Sequence, residues 1–313
     1  MIRLSLQMVK LVLGLVLLTW VQVVNASPEH VKHYLKIDGL ERSFYLYQPE
    51  ANVETKKPAL VMVLHGGGRG DGETPSKYFG FNQLADKHGF IVVYPNGVDA
   101  FWRDGRGYTH RGKSQGQVDD VSFIRQLIDH LALNFSIDIS KVYLTGISNG
   151  GMMSFRLACE IPQYFAAIAP IASNMPLNIV ATCKPENFVP MLIMNGTDDP
   201  LVPYYGGSVG YKNKTMGEVV STYDSVNFWV NHNQCNLNSK AFALPDINKK
   251  DKSTVSVEHY TNLDSTCDVW LYRVEGGGHT IPGSNIPNLP RLLGRKNMDF
   301  SGAEHVWRFF ERH

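Results

Sequence analysis

Short apolar runs recur along the chain at Phe44–Tyr47, Ala59–Leu64, Phe90–Tyr94, Val142–Thr145, Ala166–Ile171, Pro190–Met194 and Val269–Val274. Most are continuous rather than alternating, as a strand reads when helices cover both of its faces. Between them, apolar residues fall at helical spacing. Val121, Ile124, Leu127, Ile128 and Leu131 share one face, with Asp119 or Asp120 as the N-cap. Met152, Phe155 and Leu157 begin a second helix, residues 219–229 suggest a third, and Ala303–Phe310 closes the chain with Trp307 and Phe310 inward. Strands that alternate with helices predict an α/β fold, a mostly parallel central sheet with helices on both faces. Residues 240–253 are polar and residues 283–299 are rich in Pro, Asn and Gly, so both read as loops. With no internal repeat or long linker, residues 27–313 are expected to form a single domain.

The first residues stand apart. Arg3 and Lys10 precede the apolar run Leu11–Leu18, and Val24-Asn25-Ala26 places small residues where a signal peptidase cuts. Residues 1–26 are read as a signal peptide, which makes the protein secreted or periplasmic with no stable membrane anchor after cleavage. Export changes how Cys159, Cys183, Cys235 and Cys267 read, because an even number in an oxidising compartment suggests disulfides. Three pairings are possible, and order along the chain favours Cys159–Cys183 with Cys235–Cys267. No Cys-x-x-Cys spacing supports a zinc site. A net charge of +1 over 313 residues gives no basic surplus of the kind nucleic-acid binding needs.

Candidate chemistry begins at Gly146-Ile147-Ser148-Asn149-Gly150, between a strand and a helix. Gly-x-Ser-x-Gly in that setting is the nucleophile elbow, a tight turn that lifts a serine above the sheet. A serine hydroxyl needs a base, and the base needs a carboxylate to hold it. Asp198 and Asp199 follow the run ending at Met194, and His279 follows Gly276-Gly277-Gly278 after another strand. The chain order Ser, Asp, His and the positions at strand carboxyl ends both fit a triad. Asp199 is favoured over Asp198 because Pro200 restrains it to extended backbone. His232, His259 and His305 are read as surface or packing residues. The oxyanion hole is placed at the amides of Gly67, with Gly68 close behind, and Asn149. His65 is read as a brace beneath that loop. No metal or organic cofactor is expected.

These stretches together resemble the polyhydroxybutyrate depolymerase-like esterases, relatives of feruloyl and acetyl xylan esterases. The resemblance rests on LHGGGRG, YPNGVDAFWRDGR, VDDVSFIRQLID, VYLTGISNGGMMSFRLACE, FAAIAPIASNMP, NGTDDPLVPYYGG, CDVWLYRVEGGGHTIPG and VWRFF, which span nearly all of the chain after residue 26. It implies an α/β-hydrolase fold and a triad of Ser148, Asp199 and His279 acting on a small or oligomeric carboxylic ester. The family's histidine loop often continues Thr-Trp-Pro, whereas Thr280-Ile281-Pro282 stands here, so an altered cleft is expected. Without a linker and polymer-binding module, soluble hydroxyalkanoate oligomers or feruloyl and acetyl sugar esters are favoured over crystalline polymer. Trp102, Tyr204 and Tyr205 are candidate substrate contacts. Asn134, Asn195 and Asn213 begin glycosylation sequons. A serine peptidase and an inactive binding protein on the same fold are the alternatives.

Overall fold

The computed structural model describes residues 31–313, apart from 50–56, 69, 109–117, 212–213, 237 and 265. The expected signal peptide and the Asn213 sequon lie outside the described residues. Among the described residues, strands are numbered in chain order. β3 (Leu60–Leu64), β4 (Ile91–Pro95), β5 (Val142–Ile147), β6 (Ala167–Ile171), β7 (Met191–Gly196) and β12 (Asp268–Glu275) form the parallel centre of one sheet. Their spatial order is β4-β3-β5-β6-β7-β12. The continuous apolar runs arise because each strand feeds two cores. Leu60, Met62 and Leu64 of β3 join one core with α3 (Asp120–Phe135), α4 (Asn149–Glu160) and α6 (Thr222–His232). Val61 and Val63 join the other, with α2 (Phe81–His88) and α8 (Gly302–Phe310). Trp307 stacks on Phe90 at 4.1 Å and Phe310 on Tyr143 at 4.9 Å, as the inward reading of that last helix requires.

An antiparallel hairpin widens the sheet at one edge, β1 (Val31–Ile37) with β2 (Leu40–Tyr47). β11 (Thr254–Thr261) and β10 (Lys240–Ala243) widen it at the other. β10 lies inside the segment expected to be a loop. It escaped the apolar pattern because all four of its residues are exposed. The helix expected from Val219 starts instead at Thr222. Val219 ends β9 (Lys214–Val219), which pairs with β8 (Gly207–Tyr211), and Ser221 caps α6 by accepting from the Asp224 amide. The two candidate caps of α3 divide the work. Asp119 accepts from the Ser122 amide, while Asp120 is wholly buried, pairs with Arg42 at 2.6 Å and accepts from the Arg103 amide at 2.7 Å.

Cys159 bonds Cys183 and Cys235 bonds Cys267, the pairing that chain order favours. On the chain-entropy account each closure contributes about 3–4 kcal/mol. The first ties the end of α4 to the segment after α5 (Leu177–Val180). No helix among the described residues is long and apolar enough to cross a membrane.

Candidate active site

The strand order reverses at β3, which has β4 on one side and β5 on the other. Loops leaving β3 and β5 therefore diverge and open a crevice at their carboxyl ends. Ser148 stands on the β5 side, between the strand and α4, with φ 58° and ψ −123°. That conformation costs a non-glycine residue on the order of 1–3 kcal/mol. The flanking glycines show what holds it. A Cβ on Gly146 would lie 2.6 Å from the Gly150 backbone, and one on Gly150 would lie 2.5 Å from the His65 carbonyl oxygen. Ser148 is anchored by its own amide, which donates to the Ile171 carbonyl at 3.0 Å. Its position as the first residue before α4 sets it among the unpaired amides of a helix N-terminus.

Asp199 follows β7 and His279 follows β12, two neighbouring strands. His279 Nδ1 lies 2.7 Å from Asp199 Oδ2. The other carboxylate oxygen of Asp199 accepts from the amides of Leu201 and Val202, both at 2.8 Å. Asp198 points elsewhere. Its side chain is 58% exposed and faces Arg295 at 3.4 Å. The glycines before His279 do not loosen the loop. They let it pack closely. A Cβ on Gly277 would strike the Val274 side chain, and one on Gly278 would strike the backbone at Leu293 and Gly294. The Gly278 amide donates to the Arg295 carbonyl at 2.8 Å and the His279 amide to that of Leu293, so a strap over residues 289–295 fixes the histidine from outside.

The loop after β3 carries His65, Gly66, Gly67 and Gly68. The Gly68 amide donates to the Ala100 carbonyl at 3.1 Å, which leaves Gly67 the better placed of the two candidate oxyanion donors. A Cβ at Gly67 would sit 2.6 Å from the Phe101 ring, which would have to move to admit it. His65 is fully buried. Its Nε2 accepts from the Gly97 amide at 2.9 Å, which leaves Nδ1 to donate to the Gly66 carbonyl at 2.8 Å. Burial pushes its imidazole down to about 4, so it is a neutral brace with both nitrogens engaged.

Ser148, Asn149, Gly67 and His279 line one cavity of about 520 Å³. Its walls are mostly apolar: Phe79 and Phe101 on one side, Val209 and Met216 from the β8–β9 hairpin, and Leu289 and Leu293 from the strap. The expected substrate contacts are not among the lining residues. Trp102 is buried to 1% exposure, with its indole nitrogen donating to the His65 carbonyl at 3.0 Å. Tyr204 is buried, Tyr205 is 76% exposed, and the two meet edge to face. Ile281, which stands where the family often has tryptophan, is buried against Gly302 at the start of α8 rather than in the cleft. Asn195 is buried, its side chain bonded to Ser173 and Asn174, so that sequon is closed to a glycan.

Sequence reasoning missed three parts of the site. The side chain of Asn149 is buried and pinned on both ends by the Trp102 backbone, accepting at 2.7 Å and donating at 3.0 Å. Arg106 reaches the cavity wall. The hairpin supplies Val209 and Met216 from glycine-rich, polar strands that carry no apolar run. The stretch Phe101-Trp102-Arg103-Asp104-Gly105-Arg106, dense in aromatic and charged residues for a loop, was the available signal.

A family model described as Esterase PHB depolymerase matches residues 42–177. NocK of Nocardia uniformis subsp. tsuyamanensis, named as a candidate esterase, is 31% identical over 275 residues, covering 86% of this chain and 78% of its own. Feruloyl esterase D of Neurospora crassa is 26% identical over 292 residues, covering 88% of this chain and 83% of its own. Among solved structures, an acetyl xylan esterase from Aspergillus awamori superposes with a TM-score of 0.59 over 90% of this chain and 100% of that one. At 16% identity that last likeness bears on the fold alone: an α/β-hydrolase.

Proposed function

The chain belongs to the PHB depolymerase esterases, a family of α/β-hydrolases, and is a carboxylic ester hydrolase; from that premise we propose that Ser148, His279 and Asp199 carry its chemistry through an acyl-enzyme. The observation that carries this reading is the Asp199–His279 bond beside the cavity that also holds Ser148 on its left-handed elbow. Ser148 Oγ attacks the ester carbonyl carbon while His279 Nε2 takes its proton. Asp199 holds Nδ1 and stabilises the imidazolium. The oxyanion receives the amides of Asn149 and Gly67. Collapse breaks the carbon–alkoxy bond, and His279 returns the proton to the leaving alcohol. Water, deprotonated by the same nitrogen, then attacks the acyl carbon, and the carboxylic acid leaves as Ser148 regains its proton. The mostly apolar walls favour a compact acyl group or a short hydroxyalkanoate oligomer, or a feruloyl or acetyl group carried on a sugar. Two disulfides and the leader-like residues 1–26 support a secreted or periplasmic enzyme whose residues 27–313 form one catalytic domain.

The test is hydrolysis of p-nitrophenyl acetate, p-nitrophenyl butyrate, methyl ferulate and a soluble 3-hydroxybutyrate oligomer by the wild type and Ser148→Ala. Turnover that disappears in the variant supports the reading, and the preferred substrate selects the acyl class. Equal turnover in both removes Ser148 as nucleophile.

A further inference from the structure

The Asn149 side chain does not face the reacting ester. It faces a buried charge. Its Nδ2 donates to Asp104 Oδ2 at 2.6 Å. The same oxygen accepts from Arg106 Nε at 2.8 Å and lies 2.7 Å from Arg106 Nη2, while Asp104 Oδ1 accepts from the Arg106 amide at 3.1 Å. Both side chains are nearly closed to solvent, at 2% for Arg106 and 4% for Asp104. Arg106 continues the chain outward, donating from Nη1 to the Met216 carbonyl at 2.8 Å. Met216 belongs to β9, the hairpin strand that walls the cavity. Gly217 is what lets the strand lie so close, since a Cβ there would sit 2.8 Å from that of Arg106. On its other side, Asn149 grips the Trp102 backbone, whose indole holds the His65 carbonyl at the root of the Gly67 loop.

Both proposed oxyanion donors and one cavity wall are therefore referred to a single loop, residues 101–106. Removing Asp104 would leave a buried guanidinium without its counter-charge and Asn149 held by the Trp102 backbone alone. An isosteric amide in its place removes the counter-charge and, even with its oxygen turned to the three side-chain donors, sets its NH2 against the Arg106 amide. Such groups hold their neighbours only while every bond is made.

We propose that Asp104 is a positioning residue: with Arg106 it sets the Asn149 amide at the oxyanion position and couples that setting to the β8–β9 wall. The proposal rests on the active-site reading above. Loss of one oxyanion donor outright costs about 10²–10³ in kcat, so displacing one through its support costs less, roughly 10–100-fold. Ground-state binding, made by the apolar walls, changes little.

The experiment measures kcat and KM on p-nitrophenyl acetate and butyrate, and the affinity of butylboronic acid, for wild type, Asp104→Asn, Arg106→Lys and Ser148→Ala, with thermal melts alongside. The boronate forms a tetrahedral adduct on a serine oxygen and so reports on the oxyanion site. Asp104→Asn is expected to lose about 10–100-fold in kcat and a similar factor in boronate affinity, with KM within about threefold. Arg106→Lys keeps the charge but loses the fork, and is expected to shift the butyrate-to-acetate ratio of kcat/KM by about threefold or more as the wall loosens. If Asp104→Asn keeps kcat and boronate affinity within twofold, or loses kcat with boronate affinity intact, the positioning role is overturned. Should that variant prove unstable, the Arg106→Lys ratio decides the coupling by itself: an unchanged ratio overturns it. Ser148→Ala separates the two readings. Turnover retained in that variant overturns the active-site reading and the proposal together. Turnover lost there but kept in Asp104→Asn overturns the proposal alone.

Discussion

Two aspartate–histidine pairs of nearly equal length sit at opposite ends of β12. At its carboxyl end, Asp199 lies 2.7 Å from His279. At its amino end, Asp268 lies 2.6 Å from His259. In the first pair, the carboxylate is steadied by backbone amides and the imidazole borders a cavity shared with Ser148. In the second, His259 lies flat on Trp270 at 3.8 Å, and the carboxylate is shared with the Trp270 indole, His313 and Arg312. Burial alone would raise the Asp268 carboxyl, yet hydrogen bonds from His259 and His313 with Arg312 nearby hold it well below the usual range. That pair clasps the chain's last residues to the sheet. An aspartate–histidine bond is thus common architecture. What distinguishes the first is a serine at a strained turn, proposed as the nucleophile, and a space beside it.

Substitutions can break that contrast, beginning with the largest effect. Ser148→Ala and His279→Ala are each expected to lower kcat by about 10⁴-fold or more with melting temperatures near wild type, measured on p-nitrophenyl esters. Asp199→Asn keeps the shape but presents the wrong partner to Nδ1, and is expected to lose about 10³–10⁴-fold. Asp198→Asn, with an exposed carboxylate facing Arg295, serves beside it as the control that should stay within about twofold in rate.

Stability sharpens the contrast next. The buried His65 has its imidazole lowered from 6.5 to about 4. Between those values the unfolded chain takes a proton that the folded chain refuses. Its contribution is therefore complete above pH 6.5 and lost as pH falls toward 4, by about 3 kcal/mol. Urea unfolding at pH 7, 5.5 and 4 should show His65→Gln losing most of that extra pH dependence. Asp268 acts on the other side of the scale. A depressed carboxyl stabilises above its unfolded value near 3.8 and lets go only as pH falls below it. The smallest effect belongs to His259→Gln, expected to cost about 1–2 kcal/mol in urea unfolding while kcat stays within about twofold. A large loss of kcat there would erase the distinction between the two pairs.

How legible these features were in the sequence follows from their physics. β3 to β7 are covered on both faces, so each is an apolar run that stands out. β1 and β10 are edge strands with one face or both in water, and β8 and β9 are short and glycine-rich, so hydropathy passed over them. The candidate serine, aspartate and histidine stood out because strained turns, glycine-flanked loops and strand ends leave local marks. Trp102 was misjudged because an aromatic in a loop looks the same whether it faces substrate or, as here, fastens one loop to another. Asp104 and Arg106 are two residues apart in sequence, but their use lies in Asn149 and Met216, 45 and 110 residues away. No local pattern reports contacts of that span.

The most direct test of the account is covalent. Treat the wild type, His279→Ala, His259→Gln and Ser148→Ala with a fluorophosphonate, and map the adduct by mass spectrometry. A single adduct on Ser148, formed rapidly in the wild type and in His259→Gln, much slower in His279→Ala and absent in Ser148→Ala, is the predicted result. An adduct on another residue, or ester turnover that continues in the fully labelled wild type, would contradict it.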